Sequence, residues 1–127
     1  MTPNEASKEV LNAAMKVHTA LGPGLLEEAY KVCLKHKLQK QGTKVFSEVA
    51  LPIHFEGISL DISYRIDLLV ENVLIVELKS VDRLAPINKI QLLTYLRLSK
   101  KHLGLLLNFN VQTLRQGIVR VINSHSA

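Results

Sequence analysis

A chain of 127 residues, 47% of them hydrophobic and with a formal net charge of +5, has apolar side chains enough for one buried core and too little length for a second ordinary domain. Its single cysteine, Cys33, excludes an intrachain disulfide and a cysteine zinc cluster, and is expected to be a buried thiol in a reducing cytoplasm. No basic leader with an apolar core opens the chain and no apolar run reaches the length of a membrane span, so the expectation is a soluble, unexported protein with residues 1–127 forming one domain.

The charge is unevenly placed. Residues 1–82 hold 9 basic and 11 acidic side chains, whereas 83–127 hold 7 basic and none acidic. Arg83, Lys89, Arg97, Lys100, Lys101, Arg115 and Arg120 have the sign needed to follow a phosphate backbone, although ordinary solubilising charge reads the same way. His18, His36, His54, His102 and His125 lack the i, i+4 spacing of a helical metal pair and are assigned no chemistry.

Thr2-Pro3-Asn4-Glu5 is a capping-box start, and Val10, Leu11, Ala14, Val17, His18 and Leu21 continue it at helical spacing to about Ala20. Gly22-Pro23-Gly24 breaks that helix, and a second is expected over 25–41, with Glu27 one turn from Tyr30 and Lys31. Residues 44–50 and 53–55 have strand composition around Pro52, which marks a bend or an edge. A longer strand is expected over 58–70, with Leu60, Ile62, Tyr64, Ile66, Leu68 and Val70 on one face and Asp61, Ser63, Arg65, Asp67 and Leu69 on the other.

Val73 to Lys79 reads V-L-I-V-E-L-K, a central strand by its apolar run, into which Glu77 and Lys79 intrude on the face shared with Val73 and Ile75. The hairpin joining it to the preceding strand then decides whether two acids meet. A two-residue loop at Glu71-Asn72 puts Asp67 and Glu77 on opposite faces. A three-residue loop, or a bulge that Asn72 permits by tolerating left-handed geometry, pairs them. Beyond Pro86 a helix is expected over 87–100, with Ile90, Leu92, Leu93 and Leu96 inward and Gln91 and Tyr95 one turn apart on one face. Strands over 103–109 and 117–122 and a frayed tail over 123–127 complete the chain, which shows no internal repeat.

Two carboxylates with an adjacent amine are what metal-assisted phosphodiester hydrolysis requires. Asp67 and Glu77 would hold a hard divalent cation through oxygen, and Lys79 would orient or deprotonate the attacking water. Glu-x-Lys ten residues after an aspartate also occurs in ion-paired strand ends, so the spacing carries little by itself.

Asp67, Glu77, Leu78 and Lys79 nonetheless resemble the signature of the PD-(D/E)XK nuclease superfamily, and the order helix, three strands, helix, strand is similar to its core. Gly24-Leu25-Leu26-Glu27-Glu28-Ala29-Tyr30 resembles the motif that names the small bacterial GxxExxY proteins of that superfamily, and Tyr64 to Val70, Val76 to Lys79 and Leu105 to Phe109 resemble their blocks. Gln91-Leu92-Leu93-Thr94-Tyr95 is similar to the Gln-x-x-x-Tyr helix of RecB-like nucleases, and the likeness spans about Leu21 to Ile122. It implies a restriction-endonuclease-like α/β (α+β) fold, a mixed sheet flanked by helices. It also implies that Asp67, Glu77, the Leu78 carbonyl and Glu27 bind Mg²⁺ or Mn²⁺, that Lys79 acts on water, and that Gln91 and Tyr95 touch DNA or brace Lys79. Arg65, beside them, could take a phosphate, with Lys89, Arg97, Lys100 and Lys101 further along the strand. Ile66 stands where the motif has proline, a position that supplies no ligand.

The expectation is therefore a Mg²⁺-dependent deoxyribonuclease. A non-catalytic module binding nucleic acid or another protein, and a structural subunit in which Glu77 pairs with Lys79, are the alternatives. A homodimer would widen the narrow binding surface of so small a domain.

Overall fold

The computed structural model describes residues 1–125, and of Asp61 and Ser63 the backbone alone. Helix α1 (Pro3–Leu21) opens on the capping box: the Thr2 hydroxyl accepts the Glu5 N–H at 3.1 Å and the Glu5 carboxylate accepts the Thr2 N–H at 2.8 Å. Gly22 and Gly24, with φ of 69° and 102°, turn the chain into α2 (Glu27–Lys40). Strands β1 (Val45–Phe55), β2 (Ile58–Val70) and β3 (Leu74–Lys79) follow, then α3 (Pro86–Ser99), β4 (Leu103–Asn108), a 3₁₀ turn (Leu114–Gly117) and β5 (Ile118–Ile122).

The strands form one mixed sheet in the order β1, β2, β3, β4, β5, parallel only where α3 connects β3 to β4. Helices cover both faces. Ala6, Val10, Ala13, Ala14 and Val17 of α1 and Tyr30, Leu34 and Leu38 of α2 pack on Leu74, Val76, Leu78, Leu103, Leu105 and Leu107. On the opposite face Leu92, Tyr95 and Leu96 of α3 pack on Ile75, Leu106, Leu51, Ile66 and Val121. The whole of β4 is buried, as a strand covered on both faces must be. The expected α/β architecture with a mixed sheet between helices is the one observed.

Four local expectations are corrected. Ile90 points outward, because the buried arc of α3 is centred on Leu92, Tyr95 and Leu96. Val73 packs with the α1 and α2 core, not on the Ile75 face, since it belongs to the turn and not to the strand. The unbroken alternation expected of β2 fails at Asp67: Leu68 and Val70 face α1 and α2, whereas Ile66 faces α3. Opposite that switch Glu48 adopts φ 54°, and the Asp67 N–H leaves the ladder for a side chain, so both strands rotate there. Asn123 is not frayed. Its N–H donates to the His102 carbonyl at 2.8 Å and its side chain to the Lys101 carbonyl. The expectations for Ser126, Ala127 and the side chains of Asp61 and Ser63 lie outside the described residues.

Candidate functional site

The hairpin between β2 and β3 has the odd count that brings the acids together. Glu71 and Asn72 both have positive φ, 52° and 55°, and the Val73 N–H closes the turn on the Val70 carbonyl at 3.0 Å. Yet Val70 pairs with Leu74, so Val73 is an inserted residue and the register runs Leu69 with Ile75 and Leu68 with Val76. Continued by one step, it sets Asp67 opposite Glu77.

Main-chain donors clasp the pair, one N–H to each carboxylate. The Asp67 N–H donates to the Glu77 carboxylate at 3.2 Å, and the Leu78 N–H donates to Asp67 Oδ2 at 2.9 Å. Among the described residues neither acid takes part in a salt bridge. Burial pushes the Glu77 carboxyl up to about 9, with the side-chain hydrogen bond and negative charge of Asp67 adding to it against smaller downward pulls from the Asp67 backbone N–H and from Lys79. The site thus offers little to compensate a second negative charge, and Glu77 holds its proton there. Burial also raises the Tyr95 hydroxyl, helped by the charge of Glu77.

A cleft of about 130 Å³ opens over this pair, lined by Glu27, Arg65, Asp67, Glu77, Lys79, Asn88, Gln91, Tyr95 and Leu106. Gln91 donates to the Tyr95 hydroxyl at 3.1 Å, fixing the helix pair as one unit. Arg65 donates to the Glu48 carbonyl at 3.3 Å and remains exposed. Glu27 lines the cleft from the exposed first turn of α2 without joining the acid pair: among the described residues no group of three or more His, Cys, Asp or Glu side chains is gathered for a metal. The first turn of α2 thus sets Glu27 on the wall of the same cleft as Asp67, Glu77 and Lys79.

The loop carrying Glu27 is nevertheless well anchored. The Tyr30 hydroxyl donates to the Gly22 carbonyl at 2.6 Å and accepts the Leu25 N–H at 3.1 Å, while its ring stacks on Phe109 with centroids 4.6 Å apart. Ser80, next after Lys79, donates to the Leu25 carbonyl at 2.5 Å. Tyr30 is thus the brace that fixes Glu27 relative to the end of β3. Buried Asn108 holds the other side of that end, accepting the Val81 N–H at 3.1 Å and donating to the Val81 carbonyl at 2.9 Å.

Arg65 and Lys79 line the cleft, whereas the basic residues of α3 and of the approach to β4 do not. Lys89 and Arg97 are exposed on α3, and Lys100 and Lys101 sit where β4 begins, beside Leu74 and not beside Lys79. Lys101 is engaged there, donating to the carbonyl and side-chain oxygen of Asn72 at 2.8 and 3.1 Å. Of the cationic residues set along a strand from the sequence, Arg65 alone lines the cleft. Asn88 and Leu106 line it without having been expected. Asn88 was legible from its spacing, three residues before Gln91 and seven before Tyr95 on one helix face.

The family model of the PD-(D/E)XK nuclease superfamily matches residues 4–121. The chain belongs to that superfamily. No curated protein and no solved structure matches it. Membership agrees with the fold and extends the likeness over α1, which supplies much of the core beneath β3 and β4. Enzymes of the PD-(D/E)XK type typically use divalent metal, and the donor chemistry here fits one: two carboxyl groups, half-buried side by side and without a salt bridge, would be compensated by a hard cation. No helix among the described residues is long and apolar enough to cross a membrane.

Proposed function

We propose that this protein is a metal-dependent nuclease hydrolysing DNA phosphodiester bonds, and that it belongs to the GxxExxY group within its superfamily. The observation that carries the activity is the Asp67 and Glu77 clasp, an acid pair that the odd hairpin brings together at the end of a buried strand. Asp67, Glu77 and the main-chain carbonyl of Leu78 would hold Mg²⁺ or Mn²⁺. When bound, such an ion neutralises charge developing on phosphorus and makes water a better nucleophile at neutral pH.

This chain's residues do the rest. Lys79, on the same face of β3 as Glu77, orients the attacking water and, as the neutral amine, takes up its proton as the oxygen–phosphorus bond forms, while the sugar oxygen whose bond to phosphorus breaks takes a proton from solvent water. Gln91 and Tyr95, tied to each other, brace the lysine side of the cleft. Arg65 meets a neighbouring phosphate at the cleft wall. What supports the GxxExxY reading is the spacing of Gly24, Glu27 and Tyr30, together with the role of Tyr30 as the brace of the loop.

The test is incubation of purified protein with single- and double-stranded DNA and Mg²⁺ or Mn²⁺, beside Glu77→Ala and Lys79→Ala. Cleavage by the unaltered protein and its loss in both variants is the expected result. Cleavage surviving both substitutions overturns this site. Equal DNA binding by all three proteins with cleavage by none favours instead a binding module on the same fold.

A further inference from the structure

Among the described residues, two uncovered apolar surfaces carry charges of opposite sign. The first is the outer half of the β1 and β2 hairpin. Strand β3 pairs with β2 only at Leu68 to Val70, so beyond that point β1 and β2 continue as a two-stranded arm that, among the described residues, pairs with no third strand. Such a ribbon is marginal in water unless something covers it. Its pairs Ile53 with Leu60 and Phe55 with Ile58 put four apolar side chains on one face, and Phe55 and Ile58 are 61% and 56% exposed. The opposite face carries the His54 and Ser59 hydrogen bond. Residues 49–64 include Glu56 and Asp61 and no lysine or arginine, which makes the arm a poor match for a phosphate backbone.

The second surface is the outward face of α3. Ile87 and Ile90, 61% and 55% exposed, share it with Leu98, and Arg97 stands among them. It lies in the part of the chain, residues 83–127, that has basic side chains and no acidic ones. Within one chain α3 covers only the base of the ribbon, through Leu51 and Tyr64, so the outer half of the ribbon with Glu56 and the outward helix face with Arg97 stay uncovered and are complementary in charge between two copies.

We propose that the protein forms a two-fold dimer in which the arm of each copy docks along the outward face of α3 of the other. The contact is isologous, arm on helix twice over. It sets each arm against the helix that carries Asn88, Gln91 and Tyr95, so the partner's arm borders the mouth of the cleft.

Light scattering coupled to size exclusion on the full chain tests this directly. The unaltered protein is expected at twice its 14.2 kDa chain mass. Phe55→Lys with Ile58→Lys places positive charge against a basic face, and Ile87→Glu with Ile90→Glu places negative charge against an acidic arm, so each variant alone is expected at the single-chain mass. Mixed in equal amounts, the two are complementary at both contacts and the doubled mass returns. Far-ultraviolet dichroism checks folding; should either double variant misfold, Phe55→Ser and Ile87→Ser carry the comparison, with association weakened at least about tenfold. A single-chain mass for the unaltered protein at every concentration up to the millimolar range overturns the proposal and leaves the arm to a different protein partner. A doubled mass in either charge variant, or a mixture that stays monomeric, overturns it equally. None of these results depends on whether the cleft cuts DNA.

Discussion

A hollow between α2 and β1 and the cleft over β3 both hold acidic residues, and they treat charge in opposite ways. Between α2 and β1, a hollow of about 300 Å³ contains Lys31 paired with both Glu28, at 2.9 Å, and Glu48. Burial alone would lower the Lys31 ammonium, but hydrogen bonds to Glu48 and Glu28 outweigh it and hold it above its ordinary range. In the smaller cleft over β3, Asp67 and Glu77 sit together with no salt-bridge partner among the described residues, and burial drives the Glu77 carboxyl up, towards its neutral form. The difference separates charge placed to be satisfied within the fold from charge left for something the fold does not supply.

The sharpest way to break that contrast is to remove what the cleft is proposed to use. Lys79→Ala should lower the cleavage rate by about 10²–10⁴, the usual contribution of a positioned proton acceptor, with metal binding retained. Asn88→Ala, which empties one wall of the cleft, should cost about 10–100-fold by analogy with groups that orient a metal site's neighbours, read as kcat/KM under the same conditions.

Stability gives a second handle, because the two hollows should respond differently to pH. The folded Glu77 keeps its proton up to about 9, whereas the unfolded chain loses it near 4.5. Between those values the folded state binds more protons than the unfolded one, so stability falls as pH rises through that window and is full only below it. Thermal melts of metal-free protein should show this decline, Glu77→Gln should flatten it, and Mg²⁺ should offset it at the alkaline end. At the support of the site, Gly117→Ala should cost about 1–3 kcal/mol in denaturant unfolding. An added Cβ would stand 2.1 Å from the Asn108 carbonyl oxygen, so the residue that clamps the end of β3 must shift. The smallest effect belongs to the satisfied hollow: Lys31→Ala should cost about 0.2–1 kcal/mol, with no loss of cleavage, because its pairs are solvent-screened.

How much of this was legible in the sequence follows from how local each determinant is. Alternation and apolar runs marked β2, β3 and β4, and the Thr2 capping box marked α1, because side-chain period and cap chemistry are written in neighbouring residues. The meeting of Asp67 with Glu77 was legible only as a fork, since the register hangs on a single inserted residue at Val73. The face switch at Glu48 and Asp67 was hidden, for it arises from one left-handed residue and a side-chain hydrogen bond across strands. Likewise the outward turn of Ile90 followed from where the sheet meets α3, and the retreat of Lys100 and Lys101 from the cleft followed from strand direction; helical spacing contains neither.

Calorimetric titration of Mn²⁺ into the metal-free protein at pH 6 and pH 8, beside Asp67→Asn, addresses the acid pair without reference to any substrate. Binding that strengthens with pH, releases protons because the ion displaces the one held by Glu77, and disappears in the variant is the predicted result. Binding of equal strength at both pH values, or retained in full by Asp67→Asn, would contradict the claim that this pair is built to hold a cation.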